Sequence, residues 1–156
     1  MIRKVISGGQ TGVDRAGLDA AIKAGFPVGG YCPKGRRSED GTIPDHYPLQ
    51  ELTSSQYNAR TEKNVVESDG TLILNKGNLS SGTKRTHEYA TKHLKPCLIV
   101  QLEEPIEPAH VIRWIEGQQI TTLNIAGPRE SKCPEGIYNE AYSYLKKVLT
   151  LLKESQ

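Results

Sequence analysis

The sequence predicts one α/β domain over residues 1–156, a Rossmann-like three-layer α/β/α sandwich around a mostly parallel sheet of about five strands. Three observations carry that expectation. Short apolar runs alternate with longer stretches of helical periodicity, the pattern of repeated βαβ units. Glycine-rich loops stand where strands hand over to helices. A chain of 156 residues has the size of one domain, enough to bury a core without disulfides or a structural metal.

The elements follow in order. Lys4-Val5-Ile6-Ser7 is an apolar run that ends in Gly8-Gly9-Gln10-Thr11-Gly12. Val13, Ala16, Gly17, Ala20 and Ala24 then recur at helical spacing, and Gly25 and Pro27 stop that helix. Pro27 to Tyr31 is a short second strand. Residues 32–55 read as an irregular segment, because their prolines and glycines argue against a regular element. A loop of that length in a compact domain is functional or disordered, and its mixture of charges favours function. A helix is expected from about Gln56 to Glu67, and a buried-type strand over Thr71-Leu72-Ile73-Leu74. Asn75 to Gly82 is a second polar loop, followed by a helix over roughly Thr83 to His93. Pro96 to Val100 is a strand, Glu107 to Glu116 a helix entered through prolines, and Thr121 to Ile125 a strand. Ala126 to Ser131 is a third polar loop. The last helix carries Ala141, Leu145, Val148 and Leu152 on one stripe.

Composition narrows the function classes. The net charge of +2 is not the electrostatic footprint of a general nucleic-acid binder. No run approaches the roughly 20 apolar residues of a membrane helix, and the first residues lack the apolar core of a signal peptide. The cytoplasm is therefore the expected location. Cys32, Cys97 and Cys133 are widely spaced and odd in number, so neither a disulfide framework nor a CxxC metal pair is expected. The histidines form no zinc motif, and no metal ligands are assigned.

In parallel sheets, ligands sit beyond the carboxyl ends of the strands, where the polar loops converge. Gly8, Gly9, Gln10, Thr11 and Gly12 place a flexible backbone at a helix N-terminus. Unpaired amides and the helix dipole favour an anion there. A tight strand-to-helix turn is the plainer alternative. The loop lacks the lysine of a Walker sequence, which disfavours an ATPase, and its spacing is not the dinucleotide fingerprint. Arg15 serves either a ligand or an ion pair with Asp14. Ser81, Gly82 and Thr83 repeat the helix-start chemistry after Asn75. Lys34 and Arg36 are phosphate partners by charge, while Glu39 and Asp40 suit the amines of a heterocyclic ring. Gly127 and Arg129 complete the third loop. Arg60, Thr61 and Asn64 fall within about one helical turn, a grouping that by itself describes a wet helix face.

The segments Ser7-Gly8-Gly9-Gln10-Thr11-Gly12-Val13-Asp14-Arg15, Tyr31-Cys32-Pro33-Lys34-Gly35-Arg36 and Leu123-Asn124-Ile125-Ala126-Gly127-Pro128-Arg129-Glu130-Ser131 resemble the molybdenum cofactor carrier family. So do Glu39-Asp40-Gly41, Arg60-Thr61 with Asn64-Val65, Ser68 to Ile73, and Ser81-Gly82-Thr83 with Thr86. The resemblance covers nearly the whole chain. That family is similar to the wider SLOG group of Rossmann-like proteins, which includes the Lonely Guy phosphoribohydrolases. The resemblance implies a homodimer or homotetramer and a small phosphorylated ligand: the molybdenum cofactor (molybdopterin), or molybdate or another oxyanion. One departure stands out. The Lonely Guy pattern Gly-Gly-x-Gly-Thr-x-x-Glu ends in a catalytic glutamate, and Thr86 stands at that place. Glu88 lies about 200° further around a helix of 3.6 residues per turn. The expected function is a carrier that binds and protects the cofactor for transfer. The alternative is a nucleotide-processing enzyme or nucleotide sensor of the Lonely Guy type.

Overall fold

Every residue of Gly70-Thr71-Leu72-Ile73-Leu74-Asn75 is buried, the mark of a strand covered on both faces. A computed structural model describes all 156 residues. Its elements run β1 (Lys4–Ile6), α1 (Val13–Ala24), β2 (Val28–Gly29), β3 (Tyr31–Cys32), β4 (Arg37–Ser38), β5 (Gly41–Thr42), β6 (Gln50–Glu51), α2 (Tyr57–Glu67), β7 (Gly70–Asn75), α3 (Ser81–Lys92), β8 (Cys97–Gln101), α4 (Pro108–Gly117), β9 (Thr122–Ala126), a 3-10 turn (Glu130–Lys132) and α5 (Tyr138–Glu154).

The central sheet has five parallel strands in the order β2-β1-β9-β7-β8. The last strand is inserted at the middle, between the first and β7. Val5 pairs with Leu123, and Leu72 with Ile125. Leu72, Leu74, Leu123 and Ile125 point to one face, where they join residues of α1, α4 and α5 in the main core. Side chains alternate along a strand, so Ile73 and Asn124 point to the other face, which α2 and α3 cover. This is the α/β/α sandwich that the alternating pattern predicts.

Local chemistry sets the helix ends. Gly25 closes α1 in the left-handed region, its amide returning to Ala21 and Ile22. Pro108 opens α4, where its missing N–H costs nothing. Gly17 lets α1 approach the sheet, since a Cβ there would stand 2.8 Å from Ile125 Cγ2. On α5, Ala141, Leu145, Val148, Leu149 and Leu152 form the buried stripe. Each large apolar side chain so buried contributes about 1.5–3 kcal/mol. The chain ends meet: Ile2 N donates to Gln156 Oε1 at 2.7 Å.

Residues 32–55 depart from expectation. They form short ladders rather than an irregular loop. β3 pairs with β6 in parallel, and β4 pairs with β5 as an antiparallel hairpin with Glu39 and Asp40 at its tip. Leu18, Cys32, Ile43, Tyr47 and Leu49 pack as a second, smaller core. Each ladder holds two residues per strand, too few to show a period of two. The lobe is also held by side chains distant in sequence. Asn64 of α2 accepts from Tyr31 N at 2.9 Å and donates to Tyr31 O at 3.0 Å, as a neighbouring strand would. The second strand is likewise shorter than Pro27 to Tyr31. It breaks at Gly30, where a Cβ would lie 2.0 Å from Ser7 O.

Candidate functional site

The carboxyl ends of β1 and β9 bring their loops together beside the start of α3, and a polar cleft of about 260 Å³ opens there. Only two of its seventeen lining residues are hydrophobic. One wall is the start of α3, from Ser80 to Thr83. The amides of Ser81, Gly82 and Thr83 precede the first helical hydrogen bond, which Lys84 N gives to Ser80 O at 2.8 Å, and no side chain caps them. They face a cleft with their donors free, where the helix dipole favours negative charge. The opposite wall is the Gly127-Pro128-Arg129 segment. Gln10 and Asp14 close the floor, and Tyr57 to Thr61 of α2 form the side.

The charges are lopsided. Arg60, Arg85, Arg129 and Lys132 line the cleft, and Asp14 is the sole acid. Arg60 Nη1 reaches Asp14 Oδ2 at 3.2 Å, and their side chains are 14% and 5% exposed. Arg60 Nε is buried without a hydrogen-bond acceptor, while Arg129 Nε, equally buried, lies 3.2 Å from Glu39 Oε2. A buried donor left unmade is costly. Burial pushes the Asp14 carboxyl up to about 6, although Arg60, the Gln10 amide and Arg15 all pull the other way.

Much of the glycine loop is engaged with the protein itself. Its amides are largely committed inside the protein. Gly9 N donates to Ser7 Oγ at 3.4 Å, Gln10 N to Asp14 Oδ2 at 3.2 Å and Thr11 N to Gln10 Oε1 at 3.0 Å. Its glycines answer to packing. A Cβ on Gly8 would strike the Arg60 side chain, one on Gly9 would stand 2.4 Å from Leu49 Cδ1, and one on Gly12 2.4 Å from Pro128 O.

The β4–β5 hairpin clasps this loop. Glu39 accepts from Thr11 Oγ1, from Ser131 Oγ and from Ser131 N at 3.1 Å, and lies 3.2 Å from Arg129 Nε. Burial works to raise the Glu39 carboxyl, but the hydrogen bonds from Ser131 and Thr11 outweigh it and hold it below its ordinary value. Asp40 is forked by Arg15 at 2.6 and 2.9 Å. That hydrogen bonding, with Ser38, holds its carboxyl down at about 2.

The sixteen residues singled out in the sequence thus part into groups. Gln10, Ser81, Gly82, Thr83, Gly127 and Arg129 line the cleft. Gly8 lines a small hollow next to it, which shares Asp14, Arg60, Thr61 and Thr86 with the cleft. Gly9, Thr11, Gly12, Arg15, Glu39 and Asp40 build the clasped loop behind the floor. Arg36 is used up within the small lobe: its guanidinium donates to the carbonyls of Ile43, Pro44, Tyr47 and Leu49 at 2.8–3.3 Å. Lys34 is exposed and lies outside the cleft. Asn75 is buried at the end of β7, donating to Gly77 O at 2.8 Å. Arg85 and Lys132 were not singled out, and Arg60 passed for a wet helix face. A signal for two of them existed: Arg60 and Arg85 sit in the first or second turn of their helices, where the dipole disfavours a cation.

No helix is long and apolar enough to cross a membrane. No three His, Cys, Asp or Glu side chains converge to hold a metal ion. Fold and cleft together define a Rossmann-like α/β protein with a cationic cleft at the carboxyl ends of its central strands. The model of the circularly permuted YpsA family of SLOG proteins matches residues 5–149, and the chain belongs to that family. The last strand lies at the centre of the sheet and the two termini are in contact, which is the closeness a circular permutation requires. A crystal structure of a candidate molybdenum carrier protein from Syntrophus aciditrophicus SB is 49% identical, with a TM-score of 0.88 over 95% of this chain and 94% of that one. A diphosphate reductase of the non-mevalonate pathway aligns at 14% identity over 94% of this chain and 59% of that one; its TM-score of 0.39 is too low to bear on the fold. A comparison with curated proteins finds no match.

Proposed function

We propose that this protein carries the molybdenum cofactor, holding it by its phosphate and oxo groups in the cationic cleft. One observation carries the reading: free α3 amides and four cationic side chains face a cleft with a single acid. An anion fits that donor set, because Arg60, Arg85 and Arg129 line the same cleft as the α3 amides. The absence of a cluster of protein metal ligands suits cargo whose molybdenum keeps its own dithiolene and oxo ligands. The 49% identical relative described as a molybdenum carrier supports the same assignment.

The test is retention under anaerobic conditions. The protein is mixed with cofactor freshly released from a molybdoenzyme, then separated by gel filtration, and molybdenum is measured by mass spectrometry. Co-elution near one cofactor per chain, with slower oxidation and transfer to a cofactor-free molybdoenzyme, is expected. Loss of all molybdenum from the protein fraction refutes the assignment. Light scattering on the same fractions tests the homodimer or homotetramer that the resemblance implies.

A second reading has one observation in its favour. Asp14 is a carboxyl poised near neutrality in a ligand-sized cleft, the state a general acid or base requires. It would make the protein a nucleotide-processing enzyme. Against it, Thr86 donates to Gly82 O at 3.1 Å where the Lonely Guy pattern has its glutamate, and Glu88 is exposed away from the cleft. Release of base from a nucleoside monophosphate panel would establish it.

A further inference from the structure

We propose that Asp14 couples oxyanion binding in the cleft to the uptake of one proton: its carboxylate pairs with Arg60 in the free protein and takes a proton when an oxyanion engages that guanidinium. The inference rests on the reading of the cleft as an oxyanion site. It goes further in making ligand and proton bind together.

The geometry is specific. Both hydrogen bonds to the Asp14 side chain, from Gln10 N and Arg60 Nη1, land on Oδ2 at 3.2 Å. Oδ1 receives no donor from the protein, so it is the oxygen free to take a proton and turn it toward the cleft. Arg60 has its Nη1 on Asp14 and its Nε buried without an acceptor. An oxyanion in the cleft, which Arg60 lines, brings a second negative charge to the same guanidinium. Two anions sharing one cation in a nearly water-free corner raise the affinity of the weaker acid for a proton. Asp14 is that acid, already well above an ordinary aspartate because of its burial.

The surrounding charges identify Asp14 as the group that gives way. Arg15 faces it from its own helix, Arg60 from α2, and Arg85, Arg129 and Lys132 line the same cleft from α3 and the segment after β9. Glu39 lies on the far side of Arg129 and is held ionised. No histidine or cysteine lines the cleft. On ligand binding, a solvent proton forms an O–H bond to Asp14, and the Arg60 hydrogen bond moves from carboxylate to ligand. No covalent bond breaks in the ligand.

Sulfate is the appropriate probe, because it remains a dianion across the pH range used. Its affinity is measured by calorimetry at pH about 5.5 and about 8, at one ionic strength, in two buffers of different ionisation enthalpy. Linkage allows up to a tenfold loss of affinity per pH unit above the Asp14 midpoint. The wild type should therefore bind at least about tenfold more weakly at the higher pH, with close to one proton taken up per sulfate. Asp14→Asn, which keeps an acceptor for Gln10 N, should bind equally at both pH values and as tightly as the wild type at the lower one. Wild-type protein alone gives a second reading: the Asp14 carboxyl carbon, followed by NMR, should titrate at higher pH with sulfate than without. Sulfate binding with equal affinity at both pH values and no proton uptake overturns the coupling and leaves the oxyanion site standing. Absence of sulfate binding at either pH overturns both.

Discussion

Gly82 offers a substitution that separates binding from folding. It is exposed in the first turn of α3, has no unusual φ, and a Cβ built on it meets nothing within 4 Å. Gly82→Asp therefore adds a carboxylate at the mouth of the cleft without displacing anything. A carboxylate about 5 Å from a bound anion, at an effective dielectric of about 20, costs about 3 kcal/mol per unit of ligand charge. The openness of this wall reduces that, and a loss of about 1.5–3 kcal/mol, or roughly ten- to a hundredfold in affinity, is expected. The fold should respond in the opposite direction. An acid at a helix N-terminus stabilises by about 0.3–1 kcal/mol, and replacing a helical glycine helps further. Sulfate calorimetry and thermal melts on one preparation measure both effects. The expected pair is weaker binding with an unchanged or higher Tm, while Gly82→Asn binds nearly as the wild type. A Gly82→Asp protein that binds sulfate as tightly as the wild type would refute the placement of the anion at α3. Gly9→Asp cannot serve this purpose. Gly9 has φ 79 and packs against Leu49 and Ile43, so any loss of binding there would follow from damage to the lobe.

Other outcomes follow from the same contacts. Arg36→Ala removes donors from four backbone carbonyls and should destabilise by about 2–4 kcal/mol, lowering Tm by several degrees. Its sulfate affinity while folded should stay within about twofold of wild type; intact Tm with lost binding would instead make Arg36 a ligand residue. The hairpin clasp should fail in acid. Glu39 and Asp40 are both held below their ordinary values, so their contribution is full above the unfolded carboxyl range and fades as pH falls through the folded values, about 2 for Asp40. Amide exchange over residues 37–42, corrected for intrinsic rate, should therefore quicken between pH about 4 and about 2. Unchanged protection across that window would mean the hairpin is held by other contacts.

The fold was legible because its signals are local. Leu72-Ile73-Leu74 reads as a doubly covered strand by composition, and the Ala141 to Leu152 stripe reads as a helix face by period. The loops that follow β1 and β9 were placed at the ligand edge on the same grounds. The small lobe was not legible. Two-residue strands carry no period, and the bonds that organise them come from Asn64 and Arg36, whose partners cannot be read from neighbouring residues.

Hydrophobic period and turn chemistry act between neighbours, so an α/β/α sandwich with glycine-rich turns at the carboxyl edge can be read from the residues in order. Which turn leaves its amides unpaired beside the cleft depends on tertiary packing. The Gly8 to Gly12 loop looks like the better anion cradle, but Ser7, Asp14 and Gln10 accept from the amides of Gly9, Gln10 and Thr11, and close packing accounts for its glycines. The plainer Ser81-Gly82-Thr83 start keeps its donors free. Arg60, Arg85, Arg129 and Lys132 reach it from three separate segments of the chain. Electrostatic focusing depends on distances between such segments and on the water they exclude, and neither is a property of any stretch of sequence.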